Sequence, residues 1–130
     1  MGYKFKYTQT SSDGILRPTI LAELSNNSNP PIALTMLLDS GADISMIPEN
    51  IGNALGLQKT GKKLRVSGIG GSLSYYKTDI SVKVGTIKLT IPCAWVEDND
   101  VPIILGRQKF FEKFIINFNE AKKEVTLVEN

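Results

Sequence analysis

The sequence predicts an all-β protein with one or two short helices. Three observations carry that prediction. Alternating runs such as YKFKYT (3–8) and TDISVKVG (78–85) have the period-two pattern of half-buried strands. Glycine and Asn/Pro clusters separate the runs at turn spacing. Helix signals are confined to two short stretches, in the middle and near the end of the chain. With 130 residues, no internal repeat and no linker, the expectation is one domain over 1–130, with residues 1–30 as an N-terminal strand extension within it.

Taken in order, YKFKYT is the first strand. GILRPTILAELSN (14–26) is the second, with Pro18 demoting part of it to an edge. SNNSNPP (25–31) is a turn or loop. IALTMLL (32–38) is a buried strand, too short and too tightly bounded for a helix. IPENIGNALGL (47–57) is a short helix: Pro48 suits a first turn, Glu49 complements the positive end of the dipole and Gly56 can end it, although Gly52 weakens the pattern. Residues 63–98 are strands joined by glycine turns, among them a hairpin around Gly85. VPIILG (101–106) is a further buried strand. RQKFFEKF (107–114) is a short helix with its three phenylalanines on one side. Residues 115–129 form a last hairpin around Asn119–Lys122.

Composition removes several classes of function. A net charge of +2, with scattered lysines, gives no case for nucleic-acid binding; Lys62, Lys63 and Arg65 form the densest patch and read as solvated surface. No apolar run approaches the roughly 18 residues that span a bilayer, so no membrane partner is expected. The start MGYKFKYTQT shows no signal-peptide pattern, and the single cysteine suits a reducing compartment, so a cytoplasmic location is the expectation. The chain has no histidine, which removes Ser-His-Asp and Cys-His catalysis and histidine-ligated zinc. Cys93 reads as a small buried hydrophobe and Trp95 as core. Neither a cofactor nor a resident metal is expected.

What remains is carboxylate chemistry. Asp39 ends the apolar run 32–38, so it sits at the edge of the core, where ionisation is costly unless partners compensate. By itself Asp39-Ser40-Gly41 is turn chemistry. Its context is a glycine-rich hairpin candidate, SGIGGS (67–72), and a second apolar strand ending in Ile104-Leu105-Gly106-Arg107 that runs into a helix. These pieces, in this order and covering about Pro31 to Leu127, resemble the retropepsin-like (retroviral-type, single-domain) aspartic proteases.

The resemblance implies a closed β-barrel or sandwich of the acid-protease type, one lobe per chain. It implies an aspartic endopeptidase in which Asp39 is catalytic, with Ser40 and Gly41 in the same motif. Ala42, Asp43, Ile69, Gly70 and Ile104 would contact substrate, the hairpin closing as a flap with Ile69 at its tip. Gly106 and Arg107 would support the site, Arg107 by pairing with Asp43. Ala33, Ile44 and Val66 are further candidates for pocket walls. No second Asp-[Ser/Thr]-Gly occurs in the chain, and two carboxylates sharing a proton need two copies. A symmetric homodimer supplies them, with a peptide or unfolded protein as substrate. The competing readings are a catalytically weak binding or dimerisation module that keeps the fold, and a magnesium site built on Asp39 and Asp43. The second lacks the expected helix–strand alternation.

Overall fold

A computed structural model describes residues 2–27, 29–68 and 71–130. Twelve strands and two short helices are assigned along these residues. They are β1 (Gly2–Lys6), β2 (Thr8–Gln9), β3 (Leu16–Arg17), β4 (Thr19–Asn26), β5 (Asn29–Leu38), β6 (Ser45–Ile47), α1 (Glu49–Ala54), β7 (Leu64–Gly68), β8 (Gly71–Val84), β9 (Ile87–Val96), β10 (Ile104–Leu105), α2 (Phe110–Lys113), β11 (Phe114–Asn119) and β12 (Glu124–Glu129).

Six strands close a barrel in the order β4-β5-β10-β6-β9-β8, and β8 returns to β4 through Glu23↔Lys83, Leu24↔Val82 and Ser25↔Ser81. Closure removes the open edges that a sheet of this size would otherwise present. Two joints are parallel, β5 with β10 and β6 with β9; the other four are antiparallel. β7 pairs only with β8, so this hairpin stands outside the barrel. A separate sheet, β1-β12-β11, ties the two ends of the chain together. Ile20, Leu24, Met36, Ile80, Ile91 and Leu105 are among the side chains that fill the barrel, and Phe110, Phe114, Val125 and Leu127 continue the same core beneath the terminal sheet.

The all-β architecture with short helices is as expected from sequence, and several boundaries differ for physical reasons. Pro18, which has no N–H, splits 14–26 into β3 and β4, while its carbonyl accepts the Leu38 N–H at 2.9 Å. The loop expected over 25–31 is far tighter. β4 runs to Asn26 and β5 starts at Asn29, with the Asn29 and Asn26 side-chain amides donating to the carbonyls of Ala54 and Gly56. β5 is not buried throughout; only Met36 and Leu38 are, because its earlier residues alternate towards solvent. The strand expected over 101–106 shrinks to Ile104–Leu105. The helix expected over 107–114 shrinks to one turn, Phe110–Lys113, because Lys109 takes a φ of 69°, outside the right-handed helical region. The hairpins around Gly85 and residues 119–122 form as expected.

Gly52, which weakens the helix pattern in sequence, is what lets α1 lie on β9. A Cβ there would fall 2.0 Å from Trp95 Nε1. The buried indole donates to the Glu49 carbonyl at 3.1 Å, so the helix and the barrel are locked at this point. Trp95 is core, as its residue type suggested, and packs obliquely on Tyr76.

Candidate active site

Asp39 is the first residue past β5, and its backbone is still held by the barrel: its N–H donates to the Leu105 carbonyl at 3.0 Å. The chain then turns sharply. Asp39 Oδ1 accepts the Gly41 N–H at 2.9 Å, and the Asp39 carbonyl accepts the Ala42 N–H at 3.2 Å. This local pairing fixes the carboxylate's direction, as Asp does in many turns. Asp39 is half-buried, while Ser40 and Gly41 are exposed at the tip of the turn.

The second motif clamps this turn from beneath. β10 lies between β5 and β6, pairing Ile104 with Leu37 on one side and with Met46 on the other. Gly106 donates its buried N–H to Ser45 Oγ at 3.0 Å. No larger residue fits at 106, because a Cβ would come within 2.4 Å of the Ile44 carbonyl oxygen. Arg107 and Gln108 donate backbone N–H groups to Ala42 and Asp43, each at 2.9 Å, and the Arg107 guanidinium is ion-paired with Asp43. Arg107 and Asp43 therefore meet as sequence reasoning suggested. Their side chains are exposed by 55% and 69%, so the pair belongs to the surface and not to the core.

An apolar cavity of about 240 Å³ opens beside this turn, walled by Ala42, Ile44, Met46, Val66, Leu73, Tyr75, Ala94, Val96 and Ile104, with Ser45. Ala42, Ile44, Val66 and Ile104 thus line one pocket, as their positions in the motifs suggested. Ala33 does not, being exposed on β5. Ile69 and Gly70 lie outside the described residues. A second cavity, of about 370 Å³, shares Val66 and Leu73 and extends under the hairpin to Asp98, Asp100 and Val101. The loop at its far side is anchored through Glu97, whose hydrogen bonds to Lys63 and Lys59 hold its carboxyl below the usual glutamate range.

Sequence reasoning missed Ser45, Met46, Leu73, Tyr75, Ala94 and Val96. Leu73 with Tyr75, and Ala94 with Val96, are i, i+2 pairs on strands that were recognised. The alternation shows that they share a face, but not which face meets the cavity. Ser45 had no local signal. Cys93 is fully buried, and burial pushes its thiol up to about 12, so it stays protonated and unreactive.

With this geometry in place, comparison with known proteins is direct. The family model described as "Aspartyl protease" matches residues 23–108, two thirds of the chain. The chain belongs to the aspartyl protease family and is an aspartic-type peptidase of retropepsin-like fold. Among solved structures it is similar to a retropepsin-like aspartic protease from Rickettsia conorii, with a TM-score of 0.70 and 14% identity over 98% of each chain. It is also similar to the EIAV protease in complex with the inhibitor HBY-793, with a TM-score of 0.55 and 24% identity over 78% of this chain and 92% of that one. Among curated proteins none matches. Among the described residues no helix is long and apolar enough to cross a membrane.

Proposed function

We propose that the protein is an aspartic endopeptidase that works as a homodimer, with Asp39 of each subunit meeting across a two-fold axis. The observation that carries the proposal is a single Asp-Ser-Gly turn, clamped by the second motif and opening beside an apolar pocket. One carboxylate cannot be both base and acid in the same step, and the chain offers no second motif of this type. In the dimer one Asp39 carboxylate takes a proton from water. The other, protonated, donates to the peptide carbonyl oxygen. The C–O bond forms to give a geminal diol; on collapse one of its hydroxyls returns a proton to the second carboxylate, the C–N bond breaks, and the proton taken from water passes to the departing amine. Two carboxylates that close cannot both be ionised, which keeps one proton between them.

Ser40 then hydrogen-bonds beneath the dyad and Gly41 lets substrate approach the turn. Ala42 and Ile104 contact an apolar substrate side chain, Asp43 contacts the peptide backbone, and Gly106 and Arg107 keep the turn in place. The β7–β8 hairpin acts as the flap, and on sequence grounds Ile69 and Gly70 form its tip. The substrate is a peptide or unfolded protein, and residues 1–130 act as one domain. With one buried cysteine the protein suits a reducing cytoplasm.

The test is cleavage of a mixed peptide library from about pH 3 to 8 by wild type and Asp39→Asn, with sedimentation of both. Cleavage by wild type alone, with both proteins dimeric, is the expected result. An inert wild-type dimer would replace this proposal with a binding or dimerisation module. Cleavage by Asp39→Asn at the wild-type rate would remove Asp39 from the mechanism.

A further inference from the structure

The cavity under the β7–β8 hairpin has no part in the mechanism above. It adjoins the pocket beside the Asp39 turn, because Val66 and Leu73 wall both. The two differ in character. The pocket beside the turn is walled almost wholly by apolar side chains. The cavity under the hairpin combines apolar Val66, Leu73 and Val101 with two carboxylates, Asp98 and Asp100.

The other acids of this region are neutralised within the chain. Asp43 is paired with Arg107, Glu49 with Lys59, and Glu97 with both Lys59 and Lys63. Asp98 and Asp100 have no ion pair among the described residues. Arg17 lines a neighbouring cavity together with Asp100, but its guanidinium is taken by Asp13, at 2.8 and 3.3 Å, and by Thr10, at 3.2 Å. Arg65 stands opposite Ser74 in the hairpin ladder and does not line the cavity. Two uncompensated negative charges are therefore set in a wall that carries no positive one. The loop that bears them is tied to the start of α1. The Glu49 N–H donates to the Asp98 carbonyl at 3.1 Å, and the Asn50 N–H to Asn99 Oδ1 at 2.7 Å. The Asp100 N–H donates to Asp98 Oδ1, also at 2.7 Å. Carboxylates held this way need little ordering when a ligand arrives.

We infer that Asp98 and Asp100 determine specificity: the peptidase selects substrates that carry a lysine or arginine close to the apolar side chain held beside Asp39. The inference rests on the peptidase reading of that turn and deepens it. A cation is the complementary occupant, and an organic one fits where a metal does not. Among the described residues no three His, Cys, Asp or Glu side chains gather to hold a metal ion, and calcium takes about six to eight oxygens. A lysine or arginine matches both parts of the wall. Its methylene stem lies along Val66, Leu73 and Val101, and its charged head reaches the two carboxylates. An extended peptide turns residues i and i+2 to one side, so the basic residue belongs two positions from the apolar one.

The test has two arms on the whole chain. In the first, wild type cuts a mixed peptide library, and its best site is remade with Lys or Gln at the basic position. The Lys peptide should be cut with a kcat/KM at least about tenfold higher at low salt. Asp98→Asn combined with Asp100→Asn keeps the oxygen that accepts the Asp100 N–H. It should bring the ratio to within about twofold, through a raised KM for the Lys peptide. Asp79→Asn removes an equal charge from an exposed residue outside both cavities and should leave the ratio unchanged. In the second arm the library is passed over immobilised Asp39→Asn, which holds peptides without cutting them. Retained peptides should be enriched in Lys and Arg, and adding the two Asn substitutions should abolish the enrichment. No preference for Lys over Gln, or one that survives the double substitution, overturns the inference and leaves the Asp39 dyad standing. A wild type that cuts nothing, while Asp39→Asn still retains basic peptides through Asp98 and Asp100, removes the peptidase and upholds the cation-selective cavity. Neither cutting nor retention overturns both.

Discussion

Replacing Gly52 by alanine sets two effects against each other at one position. In an exposed helix interior the change would stabilise the protein by about 1 kcal/mol, since glycine is the costlier residue there. In this fold the new methyl carbon would lie 2.0 Å from Trp95 Nε1 and 2.2 Å from Cε2. The indole is packed in the core and cannot swing clear, and its N–H is already bonded to the Glu49 carbonyl. Relief requires lifting α1 off β9 or turning the ring, and either breaks that bond. Overpacking costs about 1–3 kcal/mol, and orphaning a buried donor costs about 1–3 kcal/mol. Against the propensity gain the net loss is about 3 kcal/mol. An unfolding entropy of about 2.1 cal/mol/K per residue gives about 0.27 kcal/mol/K for this chain, so the midpoint should fall by about 11 °C. Trp95 is the sole tryptophan, so its fluorescence during thermal and urea unfolding reports on the neighbour of the substitution. A Gly52→Ala protein as stable as wild type, or more so, would refute the packing argument and leave only helix propensity.

Three further outcomes follow from the site. Ser45→Ala leaves the buried Gly106 N–H without its acceptor and should cost about 1–3 kcal/mol in urea unfolding, with loss of peptidase activity; an unchanged midpoint would show that the clamp does not depend on this bond. Arg107→Ala removes an exposed ion pair and should lower the stability of the dilute, monomeric chain by no more than about 1 kcal/mol; a loss several times larger would mean that the pair is not exposed in solution. Glu97, with its carboxyl lowered by Lys63 and Lys59, adds stability that is complete above the ordinary glutamate range of about pH 4–5 and is lost as pH falls through its lower native value. The stability difference between wild type and Glu97→Gln should therefore be flat at neutral pH and shrink below about pH 4. A difference that grew with acid would contradict that sign.

The parts of this molecule legible in sequence are those set by neighbours in the chain. Alternation placed β1, β8 and β9, the glycine turns placed two hairpins, and the apolar run ending in Asp39 placed the candidate catalytic turn at the rim of the core. The parts that were not legible depend on partners far away in sequence. β6 is only three residues, Ser45–Ile47, and is a strand because β9 and β10 flank it. Gln108 reads as the first turn of a helix, yet the helix starts only at Phe110, and the Gln108 N–H is bonded to the Asp43 carbonyl from far back in the chain. Ser45 looks like any polar residue until Gly106 arrives from 61 positions away. Gly52 counted against a helix locally, yet it is the residue that lets that helix pack.

The insertion of β10 between β5 and β6 has a consequence for synthesis. Asp39 and its turn are made early, but the groups that hold them come from Leu105, Gly106, Arg107 and Gln108. Closing a loop of that length is entropically slow, and nothing local rewards it in advance. A nascent chain that has emerged only as far as β9 thus carries the Asp39 turn without the contacts that come from β10 and the residues after it. The Asp39 turn is therefore fully held only once Gln108 has been made.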